Sequence, residues 1–416
     1  MVFGQNYPNI PGQFSPVTLA DEFFNHNYVN FFAFGTGTYD TNTPTLQNGQ
    51  STQAGGFGYA VGGGISGYHA FRSGAVSFAY SGNYRDSSSL FFTSGTDQNL
   101  SIAFTKRLSR RWTFSASGSA GIIFYGTAYF APTSSDPGIV QSNPFSSESR
   151  FAATGLNFTY QQSRRLSFFG GGSYYIQRYS FPGSIGASGG SLSGGLNYRL
   201  TSRLTVGASY AHSDYVYQHD AGESLVDSIY GSITYQLPEH WTVSGSGGVS
   251  HTNVAGTIVL PVSLIDSNGQ GVGGYVVGPY SQKSNLPSFS GNISKGWHHS
   301  GFSIGAGQGV ISGNGFYLAA KNQYLGGAYS YTWRKANFSV GGNYYRLSSV
   351  ANHVSSVYAN TSFGASYGYQ LYRHLASNFR YDFVRYSNLA PYPGVSDNRL
   401  SFGFSFSTKR IPLTLY

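Results

Sequence analysis

The sequence predicts an all-β protein: a transmembrane antiparallel up-and-down β-barrel of about 18 strands (16–18), with short periplasmic turns and long extracellular loops. Three observations predict it. A hairpin phrase, a tight polar turn followed by a strand with large apolar residues at every second position, recurs in eight variants, fullest at Arg110 to Gly121. Only 9% of the 416 residues are charged while 17% are aromatic, with 35 Tyr and 57 Gly; a soluble domain carries roughly a quarter charged residues. Finally, no stretch approaches the ~18 consecutive apolar residues of a membrane-spanning helix. The longest near-apolar run, around Ala120 to Phe130, is interrupted by Gly126 and Thr127. A surface that largely avoids water without apolar helices has to cross lipid on alternating strands.

The elements follow in order. Residues 1–26, with Pro8 and Pro11 inside the extended stretch Gln5 to Phe14, form a periplasmic or pore-inserting segment. They are too few for the folded plug of a transporter barrel of about 22 strands. A first strand lies near Val29–Tyr39, and residues 27–408 form the barrel. Short turns fall near Phe71–Ser73, Ser109–Arg111, Ser163–Arg165, Thr201–Arg203, Pro238–His240, His298–His299, Arg334–Lys335 and Tyr372–His374. Six of the eight intervals are about 36 to 39 residues, room for two strands of roughly ten residues with a loop and a turn. The other two carry long inserts, Ala131–Ser149 and Thr257–Lys283, whose Pro, Ser and Gly content points to irregular structure. The turns join sixteen strands, and one more at each end makes an even number. After a last strand near Asn398–Ser407, residues 409–416, with Pro412, form a short periplasmic tail.

Facing is legible from the period of two. In the strand from Trp112, one face holds Trp112, Phe114, Ala116 and Gly118, and the other Thr113, Ser115, Ser117 and Ser119. The final strand sets Leu400, Phe402, Phe404 and Phe406 against Ser401, Gly403, Ser405 and Ser407. Trp112, Trp241, Trp297 and Trp333 stand beside turns, as amphipathic rings do at a membrane boundary. Basic residues crowd the turn end and acids the loop end, with Asp40, Asp97 and Asp397 among the latter and Glu239 the exception. The formal charge of +9 comes with no basic surface bearing aromatic platforms, so no nucleic-acid partner is expected. A soluble sandwich or β-solenoid would need charged edges and solvated faces that this chain lacks.

These hairpins, girdles and the aromatic last strand resemble Gram-negative outer-membrane β-barrels of the porin type. The phrase at Tyr198 to Tyr210 is similar to that of the β-barrel porin families defined by sequence alone, and the likeness covers nearly all of Val29 to Arg410. Ser401 to Ser407 resembles the assembly signal of such barrels, although this chain continues to Tyr416. The resemblance implies the bacterial outer membrane, even though Met1 to Pro8 shows no signal peptide. It also implies a channel for passive diffusion of small hydrophilic solutes, sugars or anions among them.

The inner face is the informative one. Small polar runs such as Ser77, Ala79, Ser81, Asn83 and Ser288, Ser290, Asn292, Ser294 suit a wetted wall. Expected pore-lining residues are Arg85, Arg107, Arg199, Arg380, Asp382, Tyr175, Tyr230 and Tyr345, with Tyr68 also inward. This charge set predicts at most a weak anion preference, and Arg380 with Asp382 could equally be a wall salt bridge. No catalytic residue is expected: a His needs a carboxylate or Ser in reach, and His212 with Asp214, or His219–Asp220, reads as a solvated loop pair. No metal and no cofactor is expected. His298–His299 lacks further ligands, and with no Cys there is neither a disulfide nor a thiolate site. Expected partners are outer-membrane lipids, lipopolysaccharide and small hydrophilic solutes. A homo-oligomer such as a trimer stays open, because its interface would use lipid-face side chains. The alternatives are a surface adhesin or structural barrel, a polysaccharide-export conduit and an outer-membrane hydrolase.

Overall fold

The computed structural model describes residues 27–47, 50–87, 94–124, 148–180, 186–219, 221–265, 271–312, 318–350, 357–387, 396–408 and 411–412. The predicted N-terminal segment 1–26 and the insert 131–147 lie outside them. The strands are β1 (Tyr28–Gln47), β2 (Gln50–Phe71), β3 (Gly74–Ser87), β4 (Gly95–Arg107), β5 (Trp112–Phe124) and β6 (Glu148–Gln161). They continue as β7 (Leu166–Tyr179), β8 (Ala187–Arg199), β9 (Leu204–Tyr217), β10 (Gly222–Gln236), β11 (Trp241–Ile265) and β12 (Gly271–Gly296). The last are β13 (Ser300–Ser312), β14 (Ala319–Trp333), β15 (Ala336–Ser349), β16 (Val357–Gln370), β17 (Leu375–Ser387), β18 (Ser396–Ser407) and the two-residue β19 (Ile411–Pro412).

Each of the first 18 strands pairs antiparallel with its sequence neighbours, and β1 closes on β18 from Phe32↔Ser407 to Asp40↔Arg399. The ring of strand pairings is therefore closed, with unpaired edges only where strands run on toward the loop end. Beyond the wall, β19 extends the pairing of β1 through Tyr28↔Pro412 and Val29↔Ile411. Thr408 ties the join, its backbone N–H donating to the Phe31 carbonyl at 2.8 Å.

The recurrent phrase has a local physical cause. Ser109 Oγ accepts from the backbone N–H groups of Arg111 and Trp112 at 3.2 and 3.1 Å. Ser163 Oγ does the same for Arg165 and Leu166 at 3.2 and 3.0 Å, and Thr201 Oγ1 for Arg203 and Leu204 at 3.2 and 3.0 Å. A hydroxyl that folds back on its own turn replaces the missing ladder bonds and leaves the arginines pointing into water. Two turns use left-handed backbone instead: Glu239 and His240 have φ 59° and 64°, and Arg334 has φ 44°. Arg334→Gly should therefore stabilise the barrel by about 0.5–1 kcal/mol, since a side chain at positive φ is strained. A higher urea midpoint of the refolded barrel would verify it; an unchanged midpoint would refute it.

The outer face is apolar. Phe57 is 74% exposed, Leu192 and Ile229 66% each, and Phe402 51%, exposure that only lipid makes tolerable over so wide a band. At the turn end the girdle is built as expected. Trp241 and Trp297 meet edge to face with centroids 6.4 Å apart. Lys295 Nζ sits 4.8 Å from both ring centroids and 3.2 Å from Glu239 Oε2. The acid that breaks the charge pattern thus pairs with a lysine held between two tryptophans.

Two expectations need correction. Most strands run 12 to 15 residues, longer than the roughly ten needed to cross lipid, because pairing continues past the apolar band on the loop side. Thr257–Lys283 is not irregular. β11 and β12 stay paired from Trp241↔Lys295 through Thr257↔Pro279 to Ile265↔Gly271. β10 stops at Gly256 and β13 at Phe289, so the far end is a two-stranded ribbon with open edges. There Pro261 and Pro279 interrupt no other ladder.

Candidate pore lining

The register converts alternation into an inner wall, because directly paired residues share a face. On the turn-side half this wall is small, hydroxylated and half-exposed. Cross-strand hydroxyl pairs tie it together: Ser173–Ser191, Ser246–Ser290 and Ser339–Ser366, each 2.7 Å apart. Toward the loop end the inner residues become buried, and two sectors differ in chemistry.

The ionic sector runs over β17, β18, β1, β3 and β4. Asp382, Arg399 and Asp40 are directly paired across three neighbouring strands, an acid–base–acid row. Arg399 Nε donates to Asp40 Oδ1 at 2.5 Å, with side chains 5% and 3% exposed, and Asp397 Oδ2 lies 4.0 Å from the same guanidinium. Arg380 Nε spans both oxygens of Asp382 at 2.9 and 2.7 Å. Arg85 Nη1 is 4.0 Å from Asp97 Oδ2, in a side chain 2% exposed.

The second sector is aromatic and aliphatic. Phe151, Tyr175, Ala187, Tyr215, Tyr217 and Val226, all inward on β6 to β10, form one buried cluster, in which the Tyr175 and Tyr215 rings are 5.9 Å apart. Tyr345 and Leu347 of β15 form another with Ala320.

The register therefore puts Arg85, Arg380, Asp382, Tyr175, Tyr230 and Tyr345 on the inner face, and Tyr68 as well, beside Tyr28 at 6.2 Å. Tyr230 OH lies 3.3 Å from Ser250 Oγ in a ladder that continues to Ser228 and Ser288 at 2.9 and 2.7 Å. Arg107 and Arg199 have inward parity but are exposed at the last pairs before their turns, opposite Thr113 and Thr205. Four charged residues join the wall that loop-end charge counting assigns elsewhere: Asp40, Asp97, Asp397 and Arg399. Their signal was present, since Asp397 and Arg399 share parity with Ser401. Arg380 and Asp382 are the wall salt bridge.

The histidines are dispersed. His212 does not act with Asp214; its Nδ1 lies 2.8 Å from Asp227 Oδ1, the residue directly across on β10, and Tyr210 OH donates to the same oxygen at 2.5 Å. All three have outward parity. His251 Nδ1 is 2.7 Å from Asn285 Oδ1, and the His298 and His299 rings meet at 6.1 Å. Among the described residues no group of three or more His, Cys, Asp or Glu could hold a metal ion. Asp220 lies outside the described residues.

No protein-family model matches the chain, and no curated protein matches it. Among solved structures it is similar to Pseudomonas aeruginosa OccK5 (OpdH), with a TM-score of 0.42, 11% identity, and coverage of 92% of this chain and 98% of that one. Acinetobacter baumannii OccAB1 gives a TM-score of 0.41 and 11% identity, over 91% of this chain and 96% of that one. The FrpB iron transporter of Neisseria meningitidis gives 0.43 and 8%, over 91% and 81%. Likeness at this level decides nothing about solute or mechanism.

Proposed function

We propose that the chain is a porin-like channel of the bacterial outer membrane that passes small hydrophilic solutes by passive diffusion, with no chemical turnover. The observation that carries this is the closed barrel of 18 membrane-crossing strands, oily outside and lined inside by small hydroxyl-bearing residues. A wall of serines bonded to one another presents remaining lone pairs and protons to water and grips no single solute. Selection then falls to the ionic sector, where fixed charges set the field along the path. Arg85, Arg380 and Arg399 face Asp40, Asp97, Asp382 and Asp397, three cations against four anions, a nearly balanced set whose small negative excess does not favour anions. Zwitterions and neutral sugars fit that field better than strong anions do. The exposed Arg107 and Arg199 stand at the turn-side rim, where water and salt screen them.

Planar-bilayer recording tests the reading: discrete ohmic steps are expected, with a small reversal potential in a salt gradient. Asp382→Asn should move that potential toward anion preference by removing one fixed negative charge. An unmoved potential would take Asp382 out of the path. The projecting β11–β12 ribbon favours a second reading, a surface-binding barrel, which a barrel that never conducts would support. Swelling of sugar-loaded liposomes would separate a sugar path from an ion path.

A further inference from the structure

Among the described residues the wall is split between β12 and β13. β12 and β13 are paired only from Gly296↔Gly301 to Phe289↔Gln308. Above that point β13 stays paired with β14 up to Ser312↔Ala319, and β14 with β15 up to Ala320↔Ser349. The loop-side ends of β13 to β15 thus form a flap that is detached from β12 on one side and still paired with β16 up to Ser348↔Val357 on the other.

Contacts place this flap inside the barrel. Val310, Ala319 and Val350 have outward parity in the flap, yet they pack with Val254, Tyr280 and Leu286 of β11 and β12, which have inward parity. Along an unbroken wall β11 and β14 are three steps of about 4.8 Å apart, about 14 Å, too far for side-chain contact. The outer surface of the flap therefore lies against the inner surface of β11 and β12. Leu318 reaches further. A Cβ built on Gly256 would be 2.5 Å from its Cδ1, and one on Gly222 3.0 Å, so two glycines at the top of β10 and β11 leave room for it. Leu318 and Val310 also touch the aromatic cluster of β6 to β10. Polar bonds hold the fold line: Gln308 Nε2 donates to the Pro287 carbonyl and Gln323 Nε2 to Gln308 Oε1, both at 2.7 Å. Gln282 Nε2 donates to the Val350 carbonyl at 3.5 Å.

We propose that this flap is a gate: the structure is its closed state, and the path opens when β13 to β15 swing back into register with β12. The inference rests on the channel reading and assigns that channel's regulation. The closed contact is small, held by a few apolar side chains, glycine seats and two glutamine hydrogen bonds across it, whereas reopening restores backbone pairing between β12 and β13. Two states balanced in this way can interconvert.

The chain has no Cys, so Val254→Cys with Ala319→Cys introduces a single pair across the closed contact. In bilayers the reduced double variant should gate like the unmodified protein. Oxidation should lower its open probability about tenfold or more, by removing a minor open state. Leu318→Asp, which unseats the flap without a crosslink, should raise open probability several-fold. Conductance that is identical before and after the crosslink is verified by mass overturns the gate and leaves the channel intact. Failure of the pair to oxidise in the folded barrel overturns the contact on which the gate is built. Absence of conductance in every form, Leu318→Asp included, overturns the channel reading and the gate with it.

Discussion

Arg399→Ala is expected to be the most destabilising single change in the barrel wall, costing about 3–5 kcal/mol, as removal of one partner of a buried ion pair does. The guanidinium crosses the seam where the last strand closes on the first, bonding Asp40 at 2.5 Å with both side chains almost fully buried. Without it the Asp40 carboxylate loses its guanidinium in a site that water hardly reaches, and Asp397 loses the cation 4.0 Å away. The loss is concentrated at the closure. Pairing of β1 with β18 joins the two ends of the wall across the whole barrel sequence, so its loop-closure entropy is recovered only when the seam forms. Removing both charges, Arg399→Ala with Asp40→Ala, should restore part of the stability, because the carboxylate that Arg399 bonds most closely is then gone as well. Urea titration of the folded barrel, read by gel mobility and tryptophan fluorescence, measures both. A single-variant loss below about 1 kcal/mol, the range of exposed pairs, would place the pair in water and refute the buried seam. A double variant no better than the single one would show that lost packing outweighs lost charge.

Much of the architecture was legible because its causes are local. All eight short turns fall where the sequence places them; in three of them a hydroxyl, Ser109, Ser163 or Thr201, bonds its own turn and needs no distant partner. Facing is equally local: a period of two fixes which side Phe402 and Ser401 take as soon as either one is assigned. The ribbon and the flap were not legible. Pro261 and Pro279 read as breakers, and only the absence of further neighbours makes them harmless. The split above Phe289↔Gln308 depends on contacts among β10, β11 and β14, residues far apart in sequence.

The inner wall divides in the same way. Arg85, Arg380, Asp382 and the tyrosines follow from parity. Asp40, Asp97, Asp397 and Arg399 were masked by position, because charges near strand ends read as solvated. Asp40 and Arg399 are buried at the closing seam, whereas Asp97 lies beside Arg85 of β3. Arg107 and Arg199 have inward parity but stand at the rim, where parity says nothing about depth. The partner of His212 is likewise a matter of register: Asp227 is opposite on β10, and the sequence neighbour Asp214 is not involved.

The assignment of an oily and a watery face makes the last prediction, and one strand suffices to test it. In β10, Ile229 is 66% exposed on the outer face, flanked by its pair partners Tyr210 and Val249. Ser232, three residues on, has inward parity opposite Gly207 and Ser246. Ile229→Arg should destabilise the folded barrel in a bilayer by about 2–4 kcal/mol, the range for a cation on the lipid face near midplane. The charge cannot enter the lumen without reversing the parity of the whole strand, which would turn Val226, Ser228 and Tyr230 outward as well. It must therefore either bend toward a headgroup or stay in hydrocarbon. Ser232→Arg adds the same charge and more bulk, yet it faces the hydroxyl wall and should cost under about 1 kcal/mol, as for an ordinary solvated substitution. Host strand and introduced residue are the same in the two variants, and the strand propensity lost with Ile spans at most about 1 kcal/mol, less than the difference expected. Equal losses for the two variants would mean that both faces meet the same medium, and the transmembrane orientation of the wall would fall with them. A larger loss at Ser232 than at Ile229 would mean a packed, dry interior, incompatible with solute passage along β10.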